Sequence, residues 1–287
     1  QISDLNDKIN IEVVFDQQKI KEISENNDLI NSIKIKSPIS TINESIFKNF
    51  ISLSTVEIDS TITKICNESF NNCLSLSTIK IPPTVKSIGK RCFSGCWGLK
   101  EVTIPFITEI SDSVFENCSS LSIISIPNTI TKIGNKAFKG CSSLSNITIP
   151  SSVKSIGKEC FFNCTSLKEI ILPTSITKIC KSTFEGCESL DDVILPSSLN
   201  SIEKMSFSKC SSLTHIFIPS SVEEIGENAF EECDTLKLIS VSKPFLKDKI
   251  GIHKTAKIIY NDNELDFIYE FARILKKEGN KKEAFYF

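Results

Sequence analysis

Nine isoleucines in this 287-residue chain open segments of nearly constant length: Ile42, Ile65, Ile88, Ile110, Ile133, Ile156, Ile179, Ile202 and Ile225. Every interval is 23 residues except that from Ile88 to Ile110, which is 22, one residue being absent after Pro105. From Ile65 the chain reads ICNESFNNCLSLSTIKIPPTVKS, and from Ile133 it reads IGNKAFKGCSSLSNITIPSSVKS. Both fit I-x-x-x-x-F-x-x-C-x-x-L-x-x-I-x-I-P-x-x-V. A degenerate copy precedes Ile42, where Ile30, Ile33, Ile35 and Ile39 hold the apolar positions. A segment this short cannot hide its own apolar side, so copies must stack in register into one elongated core.

Each pattern position carries a physical expectation. Leu76, Ile79 and Ile81 end in the alternating spacing of a strand with one face inward. Pro82 follows and, lacking an N–H, stops the ladder at the same rung in every coil. Phe70, Cys73 and Leu76 are three apart, the spacing of a tight 3₁₀ or single α turn. Gly89, Gly134, Gly157 and Gly226 follow the opening isoleucine, where a sharp backbone turn is expected. The chain has 45 isoleucines and only 5 alanines, which argues against a bundle of long helices.

The proline after the strand, the I-G step and the F-x-x-C-x-x-L run resemble the BspA-like, Treponema-type leucine-rich repeats of bacteria and parasitic protozoa. The resemblance covers about residues 30–241. It implies an α/β solenoid: a right-handed superhelix with a parallel β-sheet on the concave face and short 3₁₀ or helical turns on the convex side. It also implies a protein-binding or adhesion module whose repeat positions are not catalytic. Two departures fall in the first repeat, where Phe50 replaces the cysteine and Asp59 the proline.

Three parts are expected. Residues 1–41 form an N-terminal cap, with a strand over 10–15, and the degenerate repeat; residues 42–241 form the solenoid. Residues 242–287 form a C-terminal cap, with KTAKIIY as a closing strand and a helix after Asp262 or Asn263 through Leu265, Ile268, Tyr269, Ala272 and Leu275.

Eight of the twelve cysteines recur at the fixed position: Cys73, Cys96, Cys118, Cys141, Cys164, Cys187, Cys210 and Cys233. In-register side chains point the same way, so bridging neighbouring rungs would strain the disulfide, and a straight column cannot surround a metal tetrahedrally. Buried reduced thiols are therefore expected, with no metal site, and these favour a cytoplasmic compartment over a surface one. A peripheral place at the cell surface is the alternative the resemblance implies. Gln1 is not an initiator methionine, which leaves a signal peptide upstream open. Sequon-like triplets at Asn43, Asn67, Asn117, Asn146 and Asn163 weigh little in a chain so rich in serine and threonine.

Function classes narrow by composition. Basic and acidic residues number 33 and 35, giving a net charge of −2, and Arg91 and Arg273 are the only arginines, so nucleic acid is not expected as the main ligand. There is no apolar run long enough to span a membrane. With two histidines, His215 and His253, and no GxSxG, phosphate loop or HExxH, neither an enzyme nor a bound cofactor is expected.

Strand alternation places two columns of residues on the concave face. In the later repeats Ile171, Ile194 and Phe217 occupy three successive rungs, with Glu169, Asp192 and His215 beside them. Adjacent outward apolar groups bordered by charge mark a candidate protein interface. A second candidate lies in the C-terminal cap. Lys257, Ile258 and Tyr260 are similar to the main docking motif of type-1 protein phosphatase regulators, and Arg273, Ile274, Leu275 and Lys276 to their secondary motif. A scaffold that binds a protein partner through the concave face is the leading reading. The alternatives are a BspA-like surface adhesin and a binder of the phosphatase catalytic subunit.

Overall fold

In the computed structural model, which describes residues 9–14, 27–36, 39–241, 247–252 and 256–260, each repeat forms one coil of a parallel β-solenoid. In most coils a strand of three or four residues enters the first ladder. Thr78–Lys80 lies in register on Thr55–Ile58, and Ile123–Ser125 on Glu101–Thr103. Central residues such as Val56 and Val102 face the core, while their neighbours face out. The residue ahead of the proline still donates to the next coil, as Leu172 N–H does to Ile194 C=O at 3.1 Å, and the proline ends the ladder there.

The opening isoleucines were expected beside sharp turns, but they lie in a second parallel ladder of two-residue strands. Lys132–Ile133 pairs on one side with Glu109–Ile110 and on the other with Ser155–Ile156. The glycine that follows is required by close approach and not by a turn. A Cβ on Gly157 would stand 2.5 Å from the Asn135 nitrogen of the preceding coil. Where Ser111 takes this position, its hydroxyl donates to Ile88 C=O at 2.8 Å.

The convex arc is built of short turns, as the resemblance implied, with almost no helix. Among the described residues the only helices are the 3₁₀ turn Asn27–Leu29 and the helix Lys247–Ile250. The Phe-Cys-Leu spacing does make successive three-residue turns: Cys73 N–H donates to Phe70 C=O at 3.3 Å, and Leu76 N–H to Cys73 C=O at 3.1 Å. They do not merge into a helix because left-handed residues interrupt them. Each coil holds two, from Ser45 and Asn49 (φ 56° and 64°) to Asn228 and Glu232 (φ 56° and 58°). Such conformations cost roughly 1–2 kcal/mol apiece for residues other than glycine. Inter-coil bonds offset the cost, since Ser45, Phe47 and Asn49 N–H groups donate to Asn67, Ser69 and Asn71 of the next coil at 2.8–3.0 Å.

The core between these walls is a set of files. Nine phenylalanines from Phe47 to Phe230 stack with ring centroids 5.3–5.7 Å apart and planes within 19° of parallel. Beside them, each repeat cysteine donates its thiol to the phenylalanine carbonyl of the preceding coil, as Cys141 does to Phe115 and Cys164 to Phe138. The position therefore needs a small side chain with one donor, which cysteine supplies. In the first coil Phe50 fills the place and packs edge-on against Phe47 at 5.6 Å.

The shortened coil is explained by its turn. Val85, Ile130 and Val153 donate to the proline carbonyl three residues back, closing a β-turn. In the short coil Ile107 N–H reaches Pro105 C=O, two residues back, at 2.7 Å, a γ-turn. Ile107 is thereby returned to its file, and the displaced Phe106 is 65% exposed. Inserting a threonine between Pro105 and Phe106 restores the common turn and is expected to change urea-unfolding stability by less than about 1 kcal/mol. A larger loss would show that the γ-turn itself carries the stacking.

At the ends, Ile9–Val14 pairs in parallel with Ile30–Lys36, and Lys257–Tyr260 in parallel with Leu238–Val241. Lys249 and Ile250, at the end of the short helix, accept N–H groups of Asn228 and Phe230 at 2.7 and 2.9 Å, terminating the convex ladder. The helix expected after Asp262 lies outside the described residues.

Candidate functional site

The strand face is where outward side chains line up on a regular backbone. Glu169 stands opposite Asp192, and Ile171 opposite Ile194, in adjacent parallel strands. Alternation with buried Ile170 and Val193 forces both pairs outward. Ile171 is 58% and Ile194 50% exposed, and both carboxylates are exposed. Beside Ile171 a hollow of about 230 Å³ is lined by Ile147, Ile149, Glu169 and Pro173. It opens where Asn146–Thr148 leaves strand geometry, interrupting the first ladder.

On the next rung His215 and Phe217 are half-buried. His215 Nδ1 lies 3.0 Å from Thr214 Oγ1. Burial lowers the His215 pKa, and the carboxylates of Asp192 and Asp191 offset part of that effect. At the rung after that the outward expectation fails, because Leu238 and Ser240 are fully buried. The apolar stripe therefore has two exposed members and a half-covered third, Phe217.

The second candidate is distributed differently. Lys257–Tyr260 is committed to the sheet beside Leu238–Val241, with Ile258 half-buried and Lys257 exposed. Arg273, Ile274, Leu275 and Lys276 lie outside the described residues.

Sequence reasoning missed a second apolar line. Nine positions after the opening isoleucine, Ile51, Leu74 and Trp97 succeed one another on three coils along the edge between arc and strand. Backbone bonds from Ser75 N–H to Ile51 C=O and from Gly98 N–H to Leu74 C=O hold them in register at 3.1 and 2.9 Å. Trp97 is 57% exposed. Reading every column of the repeat, and not the strand columns alone, would have found it. Ile123 is likewise exposed on the strand face.

Ten of the twelve thiols are buried, and Cys66 and Cys180 are half-buried. Burial pushes the pKa of Cys164 up to about 12, and it raises those of Cys92, Cys96, Cys118, Cys141, Cys160, Cys187 and Cys210. Such groups are poor nucleophiles and poor metal ligands. Among the described residues no three His, Cys, Asp or Glu side chains are placed to hold a metal ion, and no helix is long and apolar enough to cross a membrane.

Comparison with known proteins follows the same architecture. The BspA type leucine rich repeat region matches in six copies, over residues 18–145 and 131–247. A solved leucine-rich repeat protein from Bacteroides ovatus is 24% identical, with 80% of this chain and 83% of that one covered and a TM-score of 0.54. The pneumococcal vaccine antigen PcpA is 20% identical, with 84% and 76% covered and a TM-score of 0.55. At these identities the likeness is one of fold. No curated protein matches the chain.

Proposed function

This chain belongs to the BspA-type leucine-rich repeat family, and on that premise we propose that it is a non-enzymatic scaffold that binds a protein partner on its strand face. The observation that carries the reading is the pair Ile171 and Ile194, half exposed or more on adjacent paired rungs beside a hollow walled in part by Ile147, Ile149 and Pro173. Exposed aliphatic groups at a regular spacing, with a recess to receive an anchor, are what the centre of an interface needs. Glu169 and Asp192 border the pair, so the complementary partner surface is apolar with lysine or arginine at its edge. His215 and Phe217 close the site on its C-terminal side.

The test is affinity capture from native extract with the full chain and with Ile171→Asp plus Ile194→Asp. Loss of two central contacts is expected to weaken partner binding by about 30-fold or more, with the thermal midpoint unchanged. An unaltered set of captured proteins defeats the reading. So does a large fall in midpoint, which would make these residues part of the core.

The adhesin reading uses the same face and differs in where the partner lies. It gains support if the wild-type chain, and not the double variant, binds intact cells. The phosphatase reading has weaker footing, since Lys257–Tyr260 is already engaged as a strand.

A further inference from the structure

Along the second ladder, away from the strand face, charge is segregated in a way the net value of −2 conceals. Two positions after the opening isoleucine, Lys158, Lys181 and Lys204 occupy three successive coils. Across the second ladder from them stand Lys154 and Lys178, also exposed. Parallel pairing of Lys178–Ile179 with Ser201–Ile202 keeps these coils in register, so the lysine row repeats at about 4.8 Å along the axis. Beside the lysine row lies a hollow of about 490 Å³, lined by Lys158, Lys178, Lys181 and Lys204 together with Ser201 and the carboxylates of Glu203, Glu224 and Glu227.

Neutralisation is incomplete. Lys178 pairs with Glu203 at 2.6 Å and Lys204 with Glu227 at 2.8 Å. Glu203 also accepts the backbone N–H of Lys181 at 2.7 Å, which leaves that ammonium group unspent. Among the described residues Lys154, Lys158 and Lys181 form no ion pair within 4 Å, although Lys158 and Lys181 are near enough to Glu203 and Glu159, respectively, to help lower the pKa of those carboxylates. A concave lane with excess positive charge attracts anions and concentrates them along its length.

We propose that this lane binds a linear anionic polysaccharide, its sulfate or carboxylate groups meeting the lysines and its hydroxyls meeting Ser201 and Glu203. Three features select this class. A sugar ring is about as long as one coil step, so a glycan lying along the axis presents an anionic group to each lysine in turn. The lining holds no aromatic ring on which bases could stack and no arginine fork for phosphate. Glu203, Glu224 and Glu227 interrupt the positive field, which disfavours a flat anionic membrane while leaving room for spaced charges.

The experiment uses the full chain and a fluorescent heparin dodecasaccharide in low salt, with single-stranded poly(dT) and phosphatidylserine vesicles as the other two arms. Lys158→Glu plus Lys181→Glu is expected to weaken heparin binding by about tenfold or more, because each lost contact removes a released counterion. Lys80→Glu plus Lys100→Glu makes the same change in total charge on the strand face and is expected to leave heparin affinity within about twofold, charges there being beyond a screening length. Circular dichroism should be identical for all three proteins. The proposal is overturned if wild-type protein does not bind heparin, if both double variants lose affinity equally, or if poly(dT) or the vesicles bind more tightly with the same dependence on Lys158 and Lys181. Because Ile171 and Ile194 are untouched, failure here leaves the strand-face reading standing.

Discussion

Raising the pH from about 8 to about 10.5 is expected to unfold the solenoid in one steep step, since thiols ionise near 8.5 in an unfolded chain. Eight fully buried cysteines have their pKa raised by burial, so the folded state holds their protons where the unfolded state gives them up. A raised folded value means that the stability is complete below the unfolded pKa and drains away as pH climbs towards the folded one. Each such thiol removes about 1.4 kcal/mol per pH unit in that window, and eight together remove on the order of 10 kcal/mol per unit. That equals the whole stability of an ordinary domain. Far-ultraviolet circular dichroism and thiolate absorbance should therefore change together. Replacing Cys118 and Cys187 by alanine should lessen the steepness by about a quarter, two of eight groups having been removed. Thiols that ionise one after another while the dichroism holds would show that the file is open to water.

Phe138→Ala should be the most damaging single truncation of the core. Its ring is sandwiched between Phe115 at 5.6 Å and Phe161 at 5.5 Å, both within 8° of parallel. Neither neighbour can move into the gap, because each is fixed by its own coil's backbone bonds. The expected loss is about 3–5 kcal/mol in urea unfolding, from lost burial plus an uncollapsed cavity. A repeat array is held together by nearest-neighbour interfaces, so weakening one in the middle should also broaden or split the transition. Phe50→Ala, at the first coil with one edge-on ring contact, should cost less. If Phe138→Ala costs no more than about 1 kcal/mol, the stacked file is not what binds the coils.

Several of these features were legible in the residues. The spacing of Phe70, Cys73, Leu76, Ile79 and Ile81 stated which side chains face inward, because stacking in register admits one inner face per position. Pro82 marked the ladder's end for a reason internal to proline. What the spacing did not reveal was why glycine follows Ile88 and Ile156: the constraint comes from the preceding coil's backbone and has no local signature. The same holds for the cysteines. Their column was visible, but the bond from each thiol to a phenylalanine carbonyl one coil back depends on the relative shift of neighbouring coils.

The candidate sites divide along the same line. Ile171 and Ile194 could be placed outward from alternation alone, while the half-burial of Phe217 and the closure over Leu238 and Ser240 could not, since covering groups come from elsewhere in the chain. The row Lys158, Lys181, Lys204 was present as a column, yet its meaning as a lane depends on the hollow beside it and on which carboxylates reach which lysines.

Periodicity alone therefore determined that this protein is a stack of equivalent coils and which residues make its interior, because burial in a repeat is a property of position. The tertiary structure decided how the backbone passes from coil to coil, where the strand ladder breaks at Asn146–Thr148, and which surface residues remain open to a partner. Those outcomes depend on distances between segments a full coil apart, which no single segment encodes.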